Sequence, residues 1–133
     1  MKTDEELLKD LREATAGLLF MSESDHPLEV IAWEGGEPVT HARLRREAGK
    51  GEDAPVAEVT AAELFRAAAS EPDWKGAAEL ATARRYQSLV RALEENLTDL
   101  AAYRVGEIDI TAYVLGRSAE GNWLGLKTRM VET

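Results

Sequence analysis

Apolar positions along this chain follow two different periods. Near the start, Leu7, Leu8, Leu11 and Ala14 recur at helical intervals, the spacing that gathers side chains on one face of a helix. Thr3 and Glu6 precede them with capping-box spacing, and Gly17 supplies a stop. The longest helical stretch is Ala77 to Asn96, where Leu80, Ala83, Tyr86, Val90, Leu93 and Leu97 form a core-facing stripe. The period then changes to two. From Glu107 to Leu115 the residues Ile108, Ile110, Ala112 and Val114 share one face, and Leu124, Leu126, Thr128 and Met130 repeat the alternation. Ala119-Glu120-Gly121-Asn122 is a turn between them, so the two runs predict a hairpin.

Shorter elements fill the interval. Leu18 to Met21 and Val30 to Trp33 read as short buried strands. Ser22 to Pro27 reads as a turn, because it is polar and Pro27 lacks an amide donor. Glu34 to Pro38 is a second turn. Thr40 to Glu47 predicts a helix ended by Gly49 or Gly51, and Val56 to Val59 a strand. Thr60 and Glu63 repeat the capping signature before Leu64, Phe65 and Ala68, and Ser70 to Trp74 interrupts that helix. Helices at the start and middle with a terminal hairpin imply an α+β layered fold. There is no internal repeat and no linker, so residues 1–133 are expected to form one domain.

Composition narrows the function classes. A hydrophobic fraction of 44% over 133 residues is enough for one core. Without cysteine there are neither disulfides nor zinc–thiolate centres. No signal peptide and no long apolar run is present, which gives the expectation of a cytoplasmic protein outside the membrane. The net charge of −9 opposes direct nucleic-acid binding, which rests on neutralising phosphates with Lys and Arg. It favours basic protein partners through steering, and it equally serves simple solubility. Arg43, Arg45 and Arg46, and Arg84 with Arg85, read as solvated ion-pair partners.

The candidate chemistry sits where an apolar run stops in Ser22-Glu23-Ser24-Asp25-His26. A small hydrolase using Glu23, Asp25 and His26 is one reading, and a solvated acidic turn is another. Neither a HExxH pattern nor a GxSxG context accompanies these residues. Gly35-Gly36 and Gly49-x-Gly51 read as turns, since neither opens a helix after a strand. Trp74, in Ser-Glu-Pro-Asp-Trp-Lys-Gly, either anchors its loop to the core or waits for a partner beside Asp73.

Seven blocks in order resemble the nuclease A inhibitor family over nearly the whole chain. They are Gly17 to Ser24, Trp33 to Gly35, Pro38 to His41, Gly51 to Pro55, Asp73-Trp74, Tyr103 to Glu107 and Val131 to Thr133. The resemblance implies a three-layer α/β/α sandwich around a mixed, largely antiparallel sheet. It also implies a protein without catalysis or cofactor of its own, which blocks the active site of a Mg2+-dependent, sugar-nonspecific DNA/RNA endonuclease. In that reading Glu23 mimics the scissile phosphate and the Thr133 hydroxyl coordinates the nuclease's Mg2+. Asp73 and Trp74 form a second contact. Two places depart from the family pattern: Asp25-His26 replaces an acidic–aromatic pair, and Lys75-Gly76 follows Trp74. An interaction module of the same fold, binding another basic partner, is the alternative.

Overall fold

The computed structural model describes residues 2–21, 25–35, 37–71 and 76–132. Helix α1 (Asp4–Thr15) begins at the expected capping box: the Thr3 hydroxyl accepts from the Glu6 amide, and the Glu6 carboxylate accepts from the Thr3 amide. Strands β1 (Leu19–Met21) and β2 (Asp25–Pro27) pair antiparallel as a two-stranded sheet. Then come β3 (Glu29–Trp33), α2 (His41–Glu47), β4 (Val56–Val59), α3 (Ala61–Leu64), α4 (Arg66–Ala69) and α5 (Ala77–Asn96). The chain closes with β5 (Thr98–Val105), β6 (Asp109–Arg117) and β7 (Trp123–Val131).

The larger sheet has the strand order β3-β7-β6-β5-β4, and every pairing among the described residues is antiparallel. This corrects the expectation of a mixed sheet. The fold is α+β, as expected. Alternate positions of β6 enter two separate hydrophobic clusters. Ile110, Ala112 and Val114 join Leu7 and Leu11 of α1 and Tyr86, Leu89 and Leu93 of α5. Tyr113 and Leu115 join Leu44 of α2 with Tyr103, Val105 and Trp123. Both faces of β6 are therefore buried, where simple alternation predicted one.

Other differences have local causes. The segment expected to be one turn, Ser22 to Pro27, contains β2 from Asp25 onward. Pro27 closes that strand at Leu19, where its missing amide costs no central ladder bond, and its carbonyl accepts from the Thr128 hydroxyl at 2.9 Å. Strand β5 carries no strand signal in the sequence, because Ala101, Ala102 and Asp99 are poor strand formers. Asp99 has φ of 51° and the pairing register shifts between Thr98 and Ala101, a bulge that masks the period further. The helix opened by Thr60 breaks at Phe65 into α3 and α4. In α5 the buried stripe includes Leu89 and Asn96 while Leu80 is only partly covered. Ile108, expected on the buried face, is 59% exposed and precedes β6.

Candidate functional site

All four residues singled out for the site, Glu23, Asp73, Trp74 and Thr133, lie outside the described residues. What is described is the ends of the elements that bracket them, and these converge on one end of the large sheet. That end is set by register: Val131 opposes Asp109, Thr111 opposes Val105, and Val105 opposes Val56. Strand β7 thus finishes there, one residue short of Glu132.

Strand β3 approaches the same end in reverse. Trp33 pairs with Trp123 at the far end and Glu29 with Lys127 nearer the β7 terminus. Continuing backward, the Pro27 carbonyl meets Thr128, and His26 lies close enough to Asp109 for its charge to lower that carboxyl's pKa. The Met21–Asp25 pair, which brackets residues 22–24, lies at the opposite end of the β1–β2 ladder from the Leu19–Pro27 pair. The hairpin therefore runs toward the finish of β7.

Helix α5 arrives from that end too. Its last turn leads into Thr98, which pairs with Arg117 at the far end of the sheet. Ten residues before the helix ends at Asn96, the Tyr86 hydroxyl donates to the Leu19 carbonyl at 2.7 Å, tying mid-helix to β1. At 1.5 Å of rise per residue, Ala77 lies roughly 14 Å beyond Tyr86, away from Thr98. Ala77, Ala78 and Glu79 are exposed there. On the other side of residues 72–75, Glu71 is held by Arg84 and Gln87 at 3.0 and 2.8 Å.

This end of the sheet is rich in ion pairs. Asp109 bonds to Arg129 at 2.9 Å and lies 3.9 Å from Lys50, while Arg104 meets Glu132 at 2.5 Å. The Asp109 carboxyl is held below the usual carboxylate range, chiefly by the hydrogen bond from Arg129, then by Lys50 and other neighbouring cations. Arg104 falls within the family-like block Tyr103 to Glu107, but nothing in the hydrophobic pattern pointed to its contact with Glu132 or to Asp109. Their partners lie across strands, and cross-strand partners are invisible until register is known.

Of the residues weighed for hydrolysis, Asp25 is exposed and His26 is half-buried on β2; Glu23 is among those outside the description. Among the described residues, no group of three or more His, Cys, Asp or Glu side chains is placed to hold a metal ion. Nor is any described helix long and apolar enough to cross a membrane. The basic clusters divide. Arg84 pairs with Glu71 as expected, but Arg85 donates to the carbonyls of Ala14 and Ala16 at the end of α1. On α2, Arg43 stacks over Trp33 at 4.4 Å and Arg45 donates to the Ala54 carbonyl at 2.7 Å. These three arginines hold the fold through carbonyls and a ring rather than through carboxylates.

No curated protein matches the chain. The family model for nuclease A inhibitor-like proteins matches residues 5–133, from the first turn of α1 to the last residue. With the match covering all but four of the 133 residues, the chain belongs to the nuclease A inhibitor-like family.

Proposed function

We propose that residues 1–133 act as one domain that inhibits a Mg2+-dependent, sugar-nonspecific endonuclease by occupying its active site. The observation that carries this reading is the family match over residues 5–133. The convergence of the element ends around residues 22–24, 72–75 and 133 supports it, because one partner surface could then meet all three. Two hydrophobic clusters on opposite faces of the sheet, one with α1 and α5 and one with α2, support the three-layer arrangement.

A nuclease of this class stabilises its scissile phosphate with a hard cation and basic side chains. Glu23 offers that pocket an anionic oxygen pair with no bond to cleave. Thr133 offers a hydroxyl oxygen, a ligand type that magnesium accepts in exchange for water. Asp73 and Trp74 add a contact outside the catalytic centre, the ring supplying area and the carboxylate direction. The protein needs no cofactor of its own and does not itself bind nucleic acid. Its place of action in this reading is the cytoplasm, protecting nucleic acid from the nuclease.

The test is inhibition of magnesium-dependent plasmid degradation. Glu23→Ala and deletion of Thr133 should each relieve inhibition without changing the circular dichroism spectrum or melting temperature. Glu23→Asp should weaken it by shortening reach. With a net charge of −9, association should slow as salt rises while dissociation changes little. If Glu23→Ala and the Thr133 deletion are both silent, the fold serves another basic partner instead.

A further inference from the structure

We infer that Arg104 is a positioning residue for inhibition: through Glu132 it aims the residue that follows, Thr133. The inference rests on the reading above, in which Thr133 reaches the nuclease's magnesium.

Register alone does not bring Arg104 to Glu132. Arg104 on β5 pairs with Ala112 on β6, and Ala112 with Thr128 on β7, four residues before Glu132. The side chain must therefore run diagonally across β6 toward the end of the sheet. It does so beside Ile110, which is 2% exposed and lines the same small hollow as Arg104 and Glu132. Arg104 Nη2 then meets Glu132 Oε1 at 2.5 Å. Its Nε has no partner among the described residues, so the guanidinium's anchoring rests on Glu132.

Glu132 is held a second time, through its backbone. Its amide donates to the Ile108 carbonyl at 3.0 Å, although β7 has already ended at Val131. The loop carrying Ile108 is itself fixed. The Gly106 amide donates to the Pro55 carbonyl at 2.9 Å, and Gly106 has φ of 111°, a region side chains disfavour. A Cβ there would lie 2.5 Å from the Asp109 carbonyl and 3.1 Å from the Lys50 stem. Asp109, next along, is gripped by Arg129 and Lys50. The residue before Thr133 is thus tied at two points, by charge to β5 and by backbone to the β5–β6 loop.

Magnitude decides where this pair matters. Arg104 and Glu132 side chains are 31% and 50% exposed, and such pairs contribute little to global stability. Fraying at strand ends, however, has an opening free energy near zero. A contribution too small to move the melting temperature can still change the ordered-to-frayed ratio at Glu132 by up to about fivefold.

The experiment uses the full chain against a sugar-nonspecific, magnesium-dependent endonuclease cleaving plasmid DNA. Arg104→Gln and Glu132→Gln should each raise the inhibition constant by up to about threefold. The melting temperature should stay unchanged. In the free protein, Arg104→Gln should speed hydrogen exchange at the Glu132 amide by up to about twofold. The exchanged pair, Arg104→Glu with Glu132→Arg, should restore both readings. Silent single variants would overturn the inference, and so would a failed rescue by the exchanged pair, which would mean that these side chains touch the nuclease directly. Deletion of Thr133 separates the levels. If it is silent, the underlying reading falls and takes this inference with it. Should deletion relieve inhibition while Arg104→Gln does nothing, only the positioning role is lost.

Discussion

The two faces of the large sheet are built by different means. On one, α1 and α5 lay aliphatic side chains over Ile110, Ala112, Val114, Leu124 and Leu126, and Phe20, Phe65 and Tyr86 pack ring to ring at 5.6 to 5.7 Å. On the other, α2 buries only Leu44, and the cluster is finished by aromatic rings with cations above them. Arg43 covers Trp33, Arg117 covers Trp123, and Lys127 approaches Tyr113 at 5.8 Å. Long cationic side chains can shield apolar surface while keeping their charge wet. One face is thus a shared interior; the other is a thinner seal made of individually small contacts.

The sharpest way to break that contrast is to cut a cavity in each cluster. Leu93 is fully buried between α5 and the sheet. Leu93→Ala should cost about 2–5 kcal/mol in denaturant unfolding, since the surrounding helices relax only partly into the gap. Leu44 is equally buried, but it is the one buried side chain of a seven-residue helix. Leu44→Ala should fall near the low end, about 2 kcal/mol, because α2 can loosen without opening the rest. Hydrogen exchange would show amides of 41–50 exposed ahead of those in α5. Equal losses with global opening in both variants would erase the distinction.

The same contrast explains what could be read from the sequence. The thick face announces itself: Leu7 and Leu11, and Ala83, Tyr86, Val90 and Leu93, repeat at helical spacing, and α5 spans the expected residues. The hairpin β6–β7 was legible because its alternation is long and its turn carries Gly121. The thin face was not. Tyr103, Val105, Tyr113, Leu115 and Trp123 lie on three strands, and their union depends on register rather than on any local period. Strand β5, with its alanines and its bulge, fails the local test while sitting second from the sheet's edge. For the site, Glu23, Asp73, Trp74 and Thr133 came from ordered family-like blocks, not from periodicity. The grip of Arg104 on Glu132 required the folded sheet.

Two buried tyrosines probe the faces with a smaller change. The Tyr86 hydroxyl on the thick face donates to the Leu19 carbonyl. Tyr86→Phe should therefore cost about 1 kcal/mol, read as a lower denaturant midpoint at unchanged slope. Burial pushes Tyr86 up to about 12 against an opposing pull from Arg85, and burial followed by Glu47 and Glu29 pushes Tyr113 up to about 12. In the unfolded chain a tyrosine ionises near pH 10. The folded protein thus keeps protons that the unfolded one releases, so stability held below about pH 10 is lost as pH rises toward about 12. Each Tyr→Phe variant should flatten part of that alkaline limb. A limb identical in both variants and wild type would assign alkaline unfolding to other groups.

Tyr113 gives the finest test at neutral pH. Its hydroxyl is buried on the thin face with no hydrogen-bond partner among the described residues, although its ring packs on Trp33 at 5.6 Å. Removing an unpaired buried hydroxyl relieves a desolvation cost instead of breaking a bond. Tyr113→Phe keeps the ring, its Trp33 contact and the approach of Lys127, and should leave stability within about 0.5 kcal/mol of wild type or raise it. The pair of substitutions then separates cause from appearance, since both rings are 1% exposed and differ in what the oxygen touches. A loss at Tyr113 as large as that at Tyr86 would mean the thin face depends on a polar contact at that oxygen, and that its seal is no weaker than the helical side.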